Sequence, residues 1–302
     1  MKSIKNSAAS VRQRLLNHSK TKQKPFNEIL QYYAMERFLY RLSLSQHKNK
    51  FVLKGALMLR IWNALESRPT MDIDMLGKTS NEAENIIQQI KEILFVEVIE
   101  DGIYFDAATL QAEQIKEDAD YHGIRVLFKG SLDKAKIHMQ IDIGFGDVVY
   151  PLPEESVMPT ILDLPAPELI AYSKESVIAE KFEAMIKLGS LNSRMKDFYD
   201  IWILSRQFDF HGTDLTEAIR LTFDNRSTSI PVEIEAFSEQ FIKSKQIQWT
   251  AFAKRINQEH VPVQFQDIIS GLQSFLYPLA SALSNQNPIP KKWSCANQWS
   301  AY

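Results

Sequence analysis

The sequence predicts an α+β protein, with a mixed-sheet first half followed by a mainly helical second half. Residues 71–75 and 137–143 alternate between apolar and polar side chains, which is the pattern of half-buried strands. Residues 83–94 repeat apolar side chains at the spacing of an amphipathic helix. After the five prolines of residues 151–167, strand patterns fade and helical patterns replace them.

The composition excludes several classes of protein. The 302 residues include 35 Lys and Arg against 37 Asp and Glu, so the formal net charge of -2 argues against a strongly basic nucleic-acid binder, although a local basic surface remains open. No apolar run approaches the roughly 18–20 residues that span a bilayer. The single cysteine, Cys295, excludes an intrachain disulfide and a multi-cysteine metal site. We therefore expect a cytoplasmic protein without a membrane segment.

The N-terminus is basic and contains no acid before Glu28. Its seven basic residues are Lys2, Lys5, Arg12, Arg14, Lys20, Lys22 and Lys24. An acid-poor, Ser-containing start of this kind can imitate an organellar transit peptide. It also fits a short docking helix, or a basic arm beside bound nucleic acid.

The first half begins with a predicted helix over Asn27–Ser43 that its first residue caps. A short strand, Phe51–Leu53, then leads into a turn at Lys54-Gly55, and a helix is predicted over Ala56–Leu65. In the strand of residues 71–75, the three apolar side chains are expected to face a core. They are Met71, Ile73 and Met75.

Three further elements are predicted before the prolines. Thr79 and Glu82 have the spacing of a capping box at the start of the next helix. Residues 95–105 are predicted to form a hairpin that turns at Asp101-Gly102. Ile124–Lys129 is predicted to be a strand.

The proline-rich segment at 151–167 is interpreted as the connection to a helical domain. The predicted helices are Ser176–Leu188, Asp197–Arg206, Leu215–Thr222, Val232–Lys243, Trp249–Asn257 and Phe265–Leu283. Pro278 is expected to kink or break the last of these. Residues 285–302 are predicted to be a polar tail.

The pair Asp72 and Asp74 is the clearest chemical feature of the sequence. Two carboxylates at i, i+2 lie on one face of a strand, where they can share a divalent cation such as Mg²⁺. The alternative is an exposed strand face with two solvated acids. Asp142 lies on the polar face of a second predicted strand, and three carboxylates from two neighbouring strands would form the platform for two-metal phosphoryl chemistry.

Residues near this pair are suited to binding phosphate. Lys54-Gly55 closes a strand and opens a helix, where free backbone N–H groups face outward. Arg68, in the turn before the Asp72-x-Asp74 strand, offers a planar guanidinium fork. The order of these elements is that of the nucleotidyltransferase palm of the DNA polymerase β superfamily. The predicted division is therefore an N-terminal arm and helix at 1–45, a palm at 46–160, a helical domain at 161–284 and the tail.

Several segments together resemble the AbiEii/AbiGii family of nucleotidyltransferase toxins. They are FVLKGALMLRIW, RPTMDIDML, QIDIGFGD, AEKFEAMI and RMKDFYDIW, with TFDNRSTSIP as a looser match. The resemblance implies the toxin half of a toxin–antitoxin or abortive-infection system, paired with a separate antitoxin protein. It also implies transfer of a nucleotide from an NTP, in some relatives onto the 3′ end of tRNA.

The resemblance implies roles for individual residues. Asp72 and Asp74 match metal ligands, and Asp142 matches the third acid, for Mg²⁺ or Mn²⁺ bound with the NTP. Lys181 matches the lysine that holds the triphosphate. The alternative for Lys181 is a lysine at the boundary of the core, because apolar residues share its predicted helix.

The family's second essential motif falls on Asp197 and Asp200. Arg194 and Lys196, in the same segment, are candidate nucleotide-binding residues together with Lys54, Gly55, Arg68, Lys181 and Asp200. The alternative is a surface ladder of ion pairs, in which Lys196 and Asp200 form an i, i+4 pair worth a few tenths of a kcal/mol.

One segment departs from the family pattern. Gly55 is followed by Ala56 and Leu57, where relatives usually carry a second small residue or a hydroxyl, so one phosphate contact is missing. This leaves two alternatives to an enzyme. The chain is then either a non-catalytic palm that binds nucleotide or RNA, or a protein that acts by docking an antitoxin through its helical half.

Overall fold

The computed structural model describes residues 7–64, 68–118, 121–256, 258–296 and 298–300, without the side chains of 116–118, 121 and 122. The chain divides into two compact units. The first comprises Met1–Trp62, Pro69–Gly146 and Glu154–Ala171, and the second comprises Asn63–Arg68, Asp147–Pro153 and Tyr172–Tyr302. The α+β fold class with a mixed sheet is confirmed.

The first unit is a seven-stranded mixed sheet with its helices. Its helices are α1 (Ser7–Thr21), α2 (Phe26–Leu44), α3 (Met58–Ile61) and α4 (Ala83–Leu94). Its strands are β1 (Phe51–Lys54), β2 (Ile73–Gly77), β3 (Ile103–Asp118), β4 (Tyr121–Leu132), β5 (Ala135–Phe145), β6 (Glu154–Val157) and β7 (Glu168–Ala171). The strand order is β3-β4-β5-β2-β1-β7-β6, in which β2 is parallel to β5 and β1 is parallel to β7.

The second unit is mainly helical, as predicted. Its helices are α5 (Lys174–Leu188), α6 (Met195–Gln207), α7 (Gly212–Asn225), α8 (Glu239–Ile256) and α9 (Phe265–Asn285). Its strands β8 (Phe210–His211), β9 (Lys292–Ser294) and β10 (Gln298–Trp299) form a small antiparallel sheet. Two predicted helices around residues 232–257 are replaced by one, α8, and α9 continues through Pro278.

Helix α2 is the centre of the first unit's core. Thirteen of its 19 residues are buried, so it is enclosed by other elements and does not merely cover one face of the sheet. The ring of Phe38 contacts those of Phe105 and Phe128 at centroid distances of 6.4 and 5.8 Å, which joins α2 to β3 and β4. Pro25 rather than Asn27 precedes the helix, so the predicted cap is wrong.

Helix α1 docks against the rest of the first unit. Val11 and Leu15 are buried, which agrees with the interpretation as a docking helix. Lys2 and Lys5 of the predicted basic arm lie outside the described residues.

Two local predictions in the first unit are wrong. Glu82 precedes α4 without a capping side-chain bond, because the Thr79 hydroxyl accepts hydrogen bonds from the amides of Asn85 and Gln89 instead. The helix predicted over Ala56–Leu65 is one 3-10 turn followed by the single turn α3, and Leu65 lies outside the described residues.

The hairpin predicted at Asp101-Gly102 does not form. Asp101 is 3% exposed, pairs with Arg41 on α2 at 2.7 and 3.2 Å, and accepts a hydrogen bond from the Ile103 N–H. These contacts hold the segment as the entry to β3, which pairs with β4. A buried ion pair therefore replaces the solvent-exposed turn that an Asp-Gly sequence usually indicates.

Two segments predicted to be irregular are part of the sheets. Strand β6 pairs with β7, so residues 154–171 belong to the first unit and the prolines do not mark a simple connection. In the predicted tail, β9 pairs with β8, and Trp293 is 1% exposed and donates a hydrogen bond to the Ser205 carbonyl. Residues 297, 301 and 302 lie outside the described chain.

Among the helices in the described part of the chain, none combines the length and apolar character needed to cross a bilayer.

We expect Asp101→Asn to destabilise the protein by about 3 kcal/mol or more, because the buried guanidinium of Arg41 loses its counter-ion. The free energy of unfolding in urea measures this. The matched control is Glu239→Gln, which breaks the highly exposed pair with Lys243 and should have no measurable effect. Equal effects of the two substitutions would contradict this account of the β3 entry.

Candidate active site

The three predicted acids lie together on the first unit. Asp74 of β2 is the direct register partner of Asp142 on the parallel strand β5, and Asp72 precedes β2 by one residue. Carboxylate oxygens of the three residues all lie within 4.8 Å of one another, and each side chain is partly exposed. Met71 is 54% exposed, because β2 begins only at Ile73, so the prediction that Met71 faces the core is wrong.

Helix α2 fixes the segment that carries Asp72. The buried amide of Gln31 donates hydrogen bonds to the carbonyls of Met71, at 3.1 Å, and His138, at 3.0 Å. The Tyr32 hydroxyl accepts a hydrogen bond from the Thr70 N–H at 3.0 Å. The Thr70 hydroxyl in turn donates to the Asp72 carboxylate.

Sequence reasoning missed these supporting residues. It gave Gln31, Tyr32 and Thr70 no role at the site. Gln31 is a polar residue in a helix that is buried on most sides. A buried amide needs hydrogen-bond partners, and this requirement is the signal that points to a supporting role for Gln31.

Gly55 makes room for Asp74. A Cβ at position 55 would lie 1.9 Å from the Asp74 Oδ2, and the residue has φ +74°, which disfavours any other side chain. The helix beyond Gly55 is a single turn, too short for its peptide dipoles to add up, so only the free backbone N–H groups at this turn remain to bind a phosphate. Ala56 and Leu57 are both buried. Their side chains therefore pack in the core, at the positions where relatives usually carry a small residue or a hydroxyl.

Asp74 and Asp142 form the middle of a charged row across the sheet. Lys54 of β1 is the register partner of Asp74, and Arg125 of β4 is the partner of Asp142. Arg125 donates from Nε and a terminal nitrogen to both oxygens of Asp142, each at 2.8 Å. The side-chain amide of Gln140 contacts the same oxygens at 3.2 and 3.1 Å.

This pairing gives Asp142 a counter-ion that the sequence analysis did not predict. The hydrogen bond from Arg125 to Asp142 raises the pKa of the guanidinium above its ordinary value. Each carboxylate oxygen offers about two acceptor sites, and Arg125 and Gln140 contact both oxygens, so a further ligand shares or replaces one of these contacts. Arg125 lay on a strand that was predicted, but its partner follows only from the β4–β5 register.

The donor set of Asp72, Asp74 and Asp142 fits a hard divalent cation. It consists of carboxylate oxygens without sulfur or imidazole, which favours Mg²⁺ or Mn²⁺ over Zn²⁺. The absence of a side chain at Gly55 preserves the space that Asp74 occupies.

A second charged cluster lies in the other unit. Lys181 of α5 bridges two acids of α6, with its Nζ 2.7 Å from Asp197 Oδ1 and 2.9 Å from Asp200 Oδ2. Arg68 binds both oxygens of Asp200 at 2.9 Å, and Arg194 lies 3.0 Å from Asp197. We call these five residues the α5–α6 network.

The network is buried, so the interpretation as a surface ladder is wrong. Asp197 is 3% exposed and Asp200 is 1% exposed, whereas Lys196 is exposed and is not among the partners described for Asp200. Arg68 has a carboxylate partner that the sequence did not predict. Contact of these residues with a nucleotide stays a prediction.

The charges of the network stabilise one another. Burial raises the pKa of Asp200, but Arg68 and Lys181 more than offset this, so the pKa lies below its ordinary value. Burial lowers the pKa of Lys181, but Asp197 and Asp200 reverse the effect and raise it. Both groups are therefore held in their charged forms at neutral pH.

A third cluster is centred on Arg226, which the sequence analysis did not single out. Its guanidinium lies 2.9 Å from Asp147 and 3.0 Å from Glu183, and the Thr228 hydroxyl donates to Glu183 at 2.6 Å. These bonds fasten the segment after α7 to α5. Arg226 and Thr228 belong to the segment TFDNRSTSIP, the looser match to the family. This segment therefore makes structural contacts with Asp147 and Glu183.

We expect alanine at position 55 to displace Asp74. Gly55→Ala and Gly146→Ala both place a side chain at positive φ, at a cost of roughly 1 kcal/mol, but nothing lies within 4 Å of a Cβ at Gly146. Only Gly55→Ala should therefore weaken Mn²⁺ binding, measured by calorimetric titration. Equal Mn²⁺ affinities for the two variants would show that Asp74 does not depend on this space.

We expect Asp200→Asn to cost about 3–5 kcal/mol of unfolding free energy at pH 7, because a buried network loses a charge. The folded-state pKa of Asp200 is lowered, so its stabilisation is present above the unfolded pKa of about 4 and is lost as pH falls through the folded value. The difference between wild type and variant should shrink in acid. Asp224→Asn, in an exposed pair with Arg220, is the control and should show no such difference.

Comparisons with known proteins place the chain in a family. A family model described as nucleotidyl transferase AbiEii toxin, type IV TA system, matches residues 37–271. JHP933 from Helicobacter pylori is 15% identical, with 90% of this chain and 94% of that chain covered and a TM-score of 0.44. A candidate nucleotidyltransferase from H. pylori is 16% identical, with coverage of 90% and 97% and the same TM-score. No curated protein matches the chain. Because the family model covers most of the sequence, the resemblance is confirmed, and the protein belongs to the AbiEii family of toxin nucleotidyltransferases of type IV toxin–antitoxin systems.

Proposed function

We propose that this nucleotidyltransferase moves an NMP from an NTP to the 3′ end of a tRNA, with Mg²⁺ or Mn²⁺ and release of pyrophosphate. The observation that carries the proposal is the register pairing of Asp74 with Asp142, with Asp72 in reach of both. Three clustered carboxylates are the arrangement that phosphoryl transfer requires, and the chain belongs to a nucleotidyltransferase family.

Asp72, Asp74 and Asp142 would hold the divalent metal. When bound, the metal neutralises phosphate charge and polarises the reacting phosphoryl group. The Thr70 hydroxyl orients Asp72, and the space left by Gly55 sets the position of Asp74.

The reaction forms a bond between the acceptor hydroxyl oxygen and the α-phosphorus. The bond from that phosphorus to the bridging oxygen of the β-phosphate breaks, and pyrophosphate leaves with its electrons. We assign Asp142 as the acceptor of the hydroxyl proton, because Arg125 and Gln140 fix the direction of both its oxygens. Positioning and charge stabilisation supply most of the rate, since the protein forms no covalent bond.

Lys54 is the candidate phosphate ligand of the first unit, because it lies directly across from Asp74 in the sheet. For Lys181, the resemblance implies contact with the triphosphate. The α5–α6 network supports this assignment, because it holds Lys181 in its charged form beside the cations Arg68 and Arg194. Arg194, which is the most exposed of the three cations, and Lys196 are further candidates.

The type IV toxin–antitoxin family implies an antitoxin partner for this chain. We propose that this partner is a separate protein and that both act in the cytoplasm, where NTP and tRNA are available. The two non-catalytic alternatives have less support, because all three acids are retained and brought together.

Labelled transfer tests the proposal. Purified protein is incubated with total tRNA, Mg²⁺ and each α-³²P NTP in turn, and the products are separated on a denaturing gel. We expect one labelled tRNA band with a preferred nucleotide, reduced more than about 10²-fold in Asp74→Asn.

Asp133→Asn is the matched control, because Asp133 is an exposed acid of the same unit in a left-handed conformation that Asn tolerates. Full transfer by a folded Asp74→Asn variant would refute the metal site. Absence of label from wild type with all four nucleotides would refute tRNA as the acceptor.

A further inference from the structure

Helix α1 carries positive charge that no acid of its own segment offsets. The described residues 7–27 contain no Asp or Glu, although the whole chain has a net charge of -2. Arg14 and Lys22 are exposed, and within the described chain no carboxylate forms an ion pair with either. Lys24, by contrast, pairs with Glu28 at 2.8 Å.

Three basic side chains lie in a row along the helix. Arg14, His18 and Lys22 are spaced i, i+4, i+8, and the Lys22 N–H continues the helical pattern by donating to the His18 carbonyl at 2.9 Å. The row is held in place because Val11 and Leu15 are buried against the first unit. The N-terminal helix therefore presents an ordered charged edge.

Contacts within the same unit join this edge to the three acids. Arg60 lies over the ring of Tyr32, 4.5 Å from its centroid. The Tyr32 hydroxyl binds the Thr70 N–H, and the Thr70 hydroxyl binds Asp72. Helix α1 packs against α2, the helix that carries Tyr32, and Arg12 lies over the ring of Phe26 at 5.6 Å from its centroid. Burial and the charges of Lys22 and Arg60 lower the pKa of His18.

We propose that Arg14, His18, Lys22 and Arg60, here called the α1 basic strip, bind the phosphodiester backbone of the acceptor RNA and lead its 3′ end to the three acids. This inference rests on the proposed function, since it concerns the acceptor of that reaction. An RNA end that approaches Asp72, Asp74 and Asp142 meets three negative charges, so its affinity requires cations beside them. Arg60 is linked through Tyr32 and Thr70 to Asp72, so a ligand on the strip lies beside the acids where the acceptor reacts. This position favours RNA over an acidic protein partner.

Equilibrium binding of fluorescent tRNA, measured by anisotropy over a series of salt concentrations, tests the strip. The variant is the double substitution Arg14→Gln with Lys22→Gln, because both side chains are exposed and distant in sequence from the acids. Arg60 and His18 stay unchanged, since Arg60 contacts Tyr32. The control is Lys254→Gln with Arg255→Gln, which removes the same two charge types from exposed positions on α8.

Loss of two phosphate contacts should reduce the slope of log K against log salt by about 1–2 and weaken binding roughly 10- to 100-fold near 0.1 M salt. The control should bind as wild type does. Wild-type affinity and slope in the double variant, equal losses in both variants, or no tRNA binding by wild type would each overturn the inference.

Two further measurements separate the possible failures. Labelled transfer by wild type is measured in parallel, so absence of transfer with strip-dependent binding refutes the proposed function and supports the strip. If wild type transfers the nucleotide but the double variant binds tRNA as tightly as wild type does, the proposed function is supported and the strip is refuted. Poly-L-glutamate is the second probe: binding tighter than that of tRNA, and lost in the double variant, would assign the strip to an acidic protein and overturn the inference.

Discussion

Three carboxylates that lie within 4.8 Å of one another repel, and the parallel pairing of β2 with β5 is what keeps them together. At an effective dielectric constant of about 20, two like charges at this separation repel by roughly 3 kcal/mol. The sheet offsets part of this cost by placing Lys54 beside Asp74 and Arg125 beside Asp142. Helix α2 completes the support, because Gln31 ties the entry of β2 to β5.

The same constraint explains why this site is suited to a cation. Crowding the acids costs folding free energy, and binding of a divalent ion offsets this cost because it neutralises their charges. The α5–α6 network is of a different kind, because ion pairs join three cations to two buried acids in it.

Features that depend on short-range sequence patterns were predictable. Alternation placed Asp74 and Asp142 on strands, and the helical second unit followed from periodicity. Contacts between distant segments were not, since nothing local links Arg68 to Asp200, 132 residues away, or Arg125 to Asp142 before the register is known. Local signals also failed where a buried partner changed their meaning, as with Asp101, or where polar neighbours concealed a core residue, as with Trp293.

The close approach of Gly55 to Asp74 has an evolutionary consequence. Since the three atoms nearest to a Cβ at position 55 all belong to the side chain of residue 74, the two positions are not independent. Glycine is favoured at 55 for two reasons, the positive φ and the side chain of Asp74, and a lineage that lost the acid would be freed from the second of them. Substitution at these two sites should therefore be epistatic, so that a family member without the acid is where variation at the glycine is first tolerated.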